Sequence, residues 1–205
     1  MAGMRVRELG RSDYLDTLAR MRAFTAARDI ASADELWLTE HPPVYTLGLA
    51  GKREHVLEPQ GTPVVQSDRG GQVTWHGPGQ AVVYLLVDLK RRDLKVRELV
   101  HGIEAAVIET LLGLDVAGRR RAGMPGVYVD DAKIAALGLK VARGATYHGV
   151  SLNVDNDLAP FAGINPCGYA GLATTSLEAL GVRAGMPAVR AQLAHSLQAF
   201  IESHA

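Results

Sequence analysis

QAVVYLLVDL, residues 80–89, is a nearly unbroken apolar run. A strand with one wet face alternates between apolar and polar residues, and a strand covered on both faces does not. The run therefore predicts a central strand with packed layers above and below it. Downstream, Leu99, Ile103, Ala106, Val107 and Leu111 fall on one stripe, which predicts a helix over 97–112. Upstream, ELWLTEHPPVYTLGL (35–49) reads as strand, kink at Pro42-Pro43, strand, and PVVQSD (63–68) as a further strand. A short strand near residues 5–9 is expected before a helix that Ser12 caps and that runs to about Ala31. GVYVDD (126–131), KIAALGLKVA (133–142) and TYHGVSLNV (146–154) follow one another too closely for parallel crossovers, so they predict antiparallel hairpins. A helix from Pro187 to Ile201 turns Val189, Leu193, Leu197 and Phe200 inward. Many strands with few helices between them give an α+β class, a mixed, largely antiparallel sheet with helices packed against it.

The chain has 205 residues, within the size of one domain, and residues 1–205 are read as a single catalytic domain. Its 22 basic and 22 acidic residues cancel, so it lacks the basic excess of a nucleic-acid binder. Two basic clusters, Lys90, Arg91, Arg92, Lys95 and Arg97, and Arg119, Arg120 and Arg121, read as solvated loops and helix ends, or alternatively as landing ground for acidic protein partners. The N-terminal residues MAGMRVRELGRSDYLD contain no apolar signal core, and no stretch approaches the ~20 apolar residues of a membrane span. The single cysteine excludes an internal disulfide, and a free thiol suits a reducing compartment. The expectation is a cytoplasmic protein, without a membrane or nucleic-acid partner.

Three segments carry chemistry. In the first, RGGQVTWHGPGQ (69–80), four glycines and a proline describe a shaped loop feeding the central strand. It lacks the Gly-Lys-Ser/Thr ending of a phosphate loop, and a plain hairpin turn is the competing reading. In the second, Lys133 opens an apolar strand-like run, where a partly buried amine suits a proton carrier, and a lysine snorkelling to water is the alternative. In the third, INPCGYAG (164–171), proline and glycines put Cys167 on a tight loop, more accessible than the buried thiol that a lone cysteine more often is. One cysteine and dispersed histidines lack the spacing of a metal site, and no G-x-S-x-G elbow is present.

Together with EHPPVYTLG (40–48), KIAALGLKV (133–141) and TYHGVSLNV (146–154), these segments resemble the octanoyltransferases of lipoate biosynthesis in order and spacing. Trp75 stands where that family more often has Tyr or Phe. The resemblance implies the α+β catalytic core shared with lipoate and biotin protein ligases. It implies an octanoyl transfer from acyl carrier protein to a lysine of lipoyl domains, in 2-oxoacid dehydrogenase complexes and the glycine cleavage protein, through a thioester on Cys167. Lys133 matches the lysine that lowers the cysteine pKa. Substrate contacts map to Arg69, Gly70, Gly71, Gln72, Val73, Thr74, Trp75 and His76, to Ala136, Leu137 and Gly138, and to Gly149, Val150 and Ser151. No cofactor and no metal are implied, and a monomer is expected. His76 and His148 stay open as alternative bases beside the thiol. Two rival readings also remain: an ATP-dependent lipoate or biotin ligase, which would adenylate its acyl group, and a catalytically silent module that docks carrier proteins.

Overall fold

In the computed structural model, residues 4–164 and 171–204 are described. The strand expected at 80–89 is β6, Gln80–Leu86, and all seven of its residues are buried. Alternate side chains feed different cores. Ala81, Val83 and Leu85 join one cluster, and Val82, Tyr84 and Leu86 join another. The unbroken apolar run is thus the signature of a strand that supplies two packed faces.

Around β6 lie β1 (Arg5–Arg11), β2 (Glu35–Glu40), β7 (Arg119–Arg121), β8 (Met124–Val129), β9 (Ala132–Ala142) and β10 (Ala145–Asn153). Among the described residues they form a seven-stranded sheet in the order β1-β2-β6-β10-β9-β8-β7. Among the strands of this sheet as described, β1 and β2 alone pair in parallel, joined by the crossover helix α1 (Tyr14–Ala27). The β8–β9–β10 run is an antiparallel meander, as its short connections require. A smaller sheet, β4 (Val64–Gln66), β3 (Val44–Leu47) and β5 (Val73–His76), stands beside the large one.

Helices α2 (Val96–Leu112) and α4 (Met186–Glu202) cover one face of the large sheet, and the short α3 (Ala159–Ala162) packs beside β5. Leu99, Ile103, Val107 and Leu111 of α2 and Val189, Leu193, Leu197 and Ile201 of α4 fill that core. Gly102 permits the two helices to close, since a Cβ there would lie 2.0 Å from the Phe200 ring. On the opposite face α1 lays Tyr14, Leu18 and Met21 against Trp37, Val82 and Tyr84. Among the described residues no helix is long and apolar enough to cross a membrane.

The structure corrects three expectations. The cap of α1 is Asp13, whose Oδ1 accepts from the Asp16 amide at 3.0 Å, while the Ser12 hydroxyl is taken by Thr17 and Thr39. The helix stops at Ala27 rather than Ala31, because Arg28 turns out of helical geometry to reach Asp34 and the Leu86 carbonyl. The basic run at 90–92 is not a solvated loop end. Arg91 and Arg92 join Arg28 on the fully buried Asp34 carboxylate, at 2.6 to 2.9 Å. Burial opposes charge on Asp34, but the Asp88 amide and the three guanidiniums outweigh it and hold the carboxyl below its ordinary range. Arg119–Arg121 form an edge strand, whose charges discourage a further strand from pairing there.

Asp34 ties α1, β2 and the β6–α2 connection to one point. Removing one partner from a buried ion pair costs ~3–5 kcal/mol, because the remaining charges stay buried. Asp34→Ala is expected to lose that amount in chemical denaturation and to lower Tm by roughly 10 °C.

Candidate active site

One cavity of about 330 Å³ opens between the large sheet, the small sheet and the segment before β5. Its size falls within the ~300–1,000 Å³ of small-molecule sites. The lining is mainly apolar and includes Val82, Val96, Val100, Ile134, Leu137, Leu139, Val150 and Phe161. Arg69, Gly70, Gly71, Gln72, Val73, Thr74 and His76 form one wall, and Ala136, Leu137, Gly138, Gly149, Val150 and Ser151 another. Of the substrate contacts expected from sequence, Trp75 alone does not line it. The segment 73–76 is a strand rather than a loop, so successive side chains point to opposite sides. The Trp75 ring packs behind the wall, edge-on against Phe161 at 5.6 Å, in a cluster with Tyr45, Leu47 and Val73.

Glycines set the shape. Gly70 donates to the Leu139 carbonyl at 2.8 Å and lies across β9. A Cβ on Gly138 would meet the Gly70 oxygen at 2.8 Å and Arg69 Cδ at 3.4 Å. Arg69 is buried and donates to the Thr46 carbonyl at 2.7 Å and to its own loop at Gly70 O, 3.0 Å. Two backbone bonds, Gly48 N to Gln72 O and Ala50 N to Gly71 O, clasp the glycine segment to the end of β3.

Lys133 lines the same cavity and is only 7 % exposed. Its Nζ donates to Pro125 O at 3.2 Å and lies 5.3 Å from the centre of the Tyr128 ring. Gly126, at φ 132, lets β8 pass over the lysine stem, since a Cβ there would be 3.1 Å from Lys133 Cε. Cys167 lies outside the described residues. The chain on either side of its segment is fixed. Ile164 bridges to Val56, and Thr174 bridges in parallel to Lys133, with Lys133 N donating to Ala173 O at 2.8 Å and Thr175 N to Lys133 O at 3.0 Å.

Away from Lys133 the cavity is walled by buried polar rings that the sequence reading largely missed. His41 Nδ1 donates to the Ser12 carbonyl at 2.7 Å, so its Nε2 accepts from the Tyr84 hydroxyl at 2.6 Å, and Tyr14 donates to Ser67 Oγ at 2.8 Å. His148 Nε2 lies 2.8 Å from Asp68 Oδ1. Burial pushes the Asp68 carboxyl up, but hydrogen bonds from His148, Tyr147 and Arg22 overcome it and hold the group down at about 2. A carboxylate only accepts, so the His148 proton sits on Nε2. Burial drives His148 down to about 4 against the opposing pull of Asp68. Burial, followed by the nearby His41, drives His76 down to about 3. Both rings are neutral near pH 7, and values so far below that pH make either a weak proton acceptor, which suits hydrogen bonding better than general-base work. His148 also sits at φ 64 inside β10, a strained conformation that costs ~1–3 kcal/mol and persists only where surroundings force it. The sequence did hold a signal for these residues: Gln80, Tyr84, His148 and Asn153 are polar side chains within strands too apolar to be exposed, and buried polar groups require partners.

Residues 13–198 match the family described as lipoyl protein ligase A/B catalytic domain. An octanoyltransferase of Thiobacillus denitrificans is 57% identical over 198 residues, spanning 97% of this chain and 91% of that protein. One from Dechloromonas aromatica is 62% identical over 167 residues, 82% of each. Lipoate-protein ligase A bound with ATP superimposes with a TM-score of 0.81 over 98% of this chain and 86% of that one, at 15% identity. Biotin protein ligase from Aquifex aeolicus gives 0.58 over 97% and 69%, at 10% identity. These two share the fold. The chain belongs to the lipoyl protein ligase A/B catalytic domain family. Within it, the sequence relatives place the chain among the octanoyltransferases, which are acyltransferases.

The depressed histidines make stability pH-dependent. With an ordinary value of 6.5 in the unfolded chain, His76 and His148 take up protons on unfolding at any pH below that but above their folded values of about 3 and about 4. Stability should therefore fall as pH drops from about 6.5 toward 4. Asp68 contributes stability above its unfolded value of 3.8 and loses it as pH falls toward about 2. Urea midpoints measured across this range should decline steadily, and His76→Gln should make the decline shallower.

Proposed function

We propose that the chain transfers an octanoyl group from the thioester of an acyl carrier protein to a lysine of lipoyl domains, by way of a thioester on Cys167. The acceptors are lipoyl domains of 2-oxoacid dehydrogenase complexes and the glycine cleavage protein, reached in the cytoplasm, with residues 1–205 acting as one catalytic domain. The reading is supported chiefly by the pairing of Lys133 with Thr174, seven positions after the cysteine, on the wall of an apolar cavity.

In the first step the Cys167 thiolate attacks the donor carbonyl, and the carrier sulfur leaves as a thiol, taking a proton from the Lys133 ammonium and leaving that amine neutral. Both species are thioesters, so no ATP is required. The Lys133 ammonium favours the thiolate beside it. In the second step the acceptor amine attacks the acyl-enzyme, its proton passes to Lys133, and the Cys167 thiolate departs. Thioester to amide is downhill. The oxyanion of each tetrahedral intermediate would be held by backbone amides, with Gly70–Gly71 and those near Cys167 as candidates. The octanoyl chain gains ~0.8 kcal/mol for each methylene that the cavity removes from water.

Incubation with octanoyl-acyl carrier protein without ATP is expected to give a labile acyl adduct on Cys167 by intact mass. Cys167→Ser should abolish octanoyl transfer, and Lys133→Ala should slow it by roughly 10²-fold or more. A requirement for ATP with release of AMP would favour the ligase reading instead.

A further inference from the structure

Two buried amides join the cavity wall to the strand of Lys133. Asn153 Nδ2 donates to the Thr175 carbonyl at 2.9 Å. Thr175 N in turn donates to Lys133 O at 3.0 Å, and Lys133 N to Ala173 O at 2.8 Å. A carbonyl oxygen only accepts, so the Asn153 amide has one permitted orientation. Its Oδ1 accepts from Gln80 Nε2 at 2.9 Å. Gln80 Oε1 therefore faces His76 Nδ1, 2.7 Å away, and that nitrogen must bear the proton. His76 is thereby fixed as the Nδ1–H tautomer, with the lone pair on Nε2. Gln80, Asn153, His76, Thr175 and Lys133 are all buried, so reversing any one donor would strand a polar atom away from water.

The backbone ladder does not need this side chain. β10 pairs through its main chain with β6 on one side and β9 on the other. The stretch after Thr175 is also held by backbone, Leu177 N to Asn153 O at 3.2 Å and Glu178 N to Val154 O at 2.9 Å. What the Asn153 side chain adds is a fixed link between His76 and the turn of chain paired to Lys133.

We propose that Asn153 is a positioning residue for acyl transfer: through Gln80 it sets the tautomer of His76, and through Thr175 it holds residues 173–175 against Lys133. The proposal rests on the Cys167–Lys133 reading above. Small misplacements of reacting groups cost far more in turnover than in binding. Loss of the link should therefore appear in kcat.

Asn153→Asp keeps the size and the acceptor but sets a carboxylate oxygen against the Thr175 carbonyl. Its kcat for octanoyl transfer should fall by roughly tenfold or more, with KM for the octanoyl carrier within about threefold, and Cys167 alkylation by iodoacetamide should slow in parallel. Nitrogen-15 NMR of the wild-type protein, with His76 assigned by its loss in His76→Gln, should show the Nδ1–H tautomer at neutral pH. That measurement stands even where a variant folds poorly. A wild-type His76 protonated on Nε2, or an Asn153→Asp protein that loses thermal stability but retains kcat and alkylation rate, would overturn the proposal. Cys167→Ser and Lys133→Ala run alongside separate the two readings. If both leave transfer intact, the thioester reading fails. If both impair it while Asn153→Asp does not, only the role of Asn153 fails.

Discussion

The molecule is organised by one strand that has to satisfy two cores at once. Every residue of β6 is buried, and the alternation of its side chains divides the interior into a helix-covered half and a half shared between α1 and the small sheet. The first half is filled by aliphatic side chains of α2 and α4. The second is only partly filled: α1 packs against Val82 and Tyr84, and beside that contact the surface facing the sheet is the glycine-rich segment at 70–71. The cavity follows from that mismatch. Packing supplies rigidity on one face of the strand, and the absence of side chains supplies room on the other.

Within this frame the polar groups divide by position. Toward the distal end lie neutral rings, His41, His148, Tyr14 and Tyr84, each given a partner by a side chain or a carbonyl. Toward Lys133 lie backbone contacts and the Gln80–Asn153 amide pair. Desolvation is the same physical cause in both regions, but it acts differently. It strips the histidines of charge, and it makes the amide orientations unambiguous because no water is at hand to accept a misplaced donor.

Much of this was legible in the residues. The apolar run of β6, the helical stripe of α2 and the short connections of the β8–β10 meander each carry a period or a length that admits few structures. The substrate contacts expected at 69–76, 136–138 and 149–151 came through resemblance, and all of them but Trp75 line the cavity. Other features depended on contacts that no local window holds. The end of α1 is decided by Asp34, six positions beyond Arg28, and by Leu86 O across the sheet. Asp68 and His148 meet across 80 positions. Trp75 was expected at the cavity through resemblance, and its ring lies instead against Phe161, a contact across 86 positions.

The glycine corridor also limits how the protein can change. Along Gly70, Gly71 and Gly138 the wall is already main chain, with the Gly138 Cβ position 2.8 Å from the oxygen of Gly70. Side chains can be trimmed to enlarge a binding site, but backbone cannot. Every substitution at these positions subtracts space, so drift there can evolve tolerance only toward shorter or thinner acyl groups. Acceptance of bulkier ones would have to come from elsewhere in the lining.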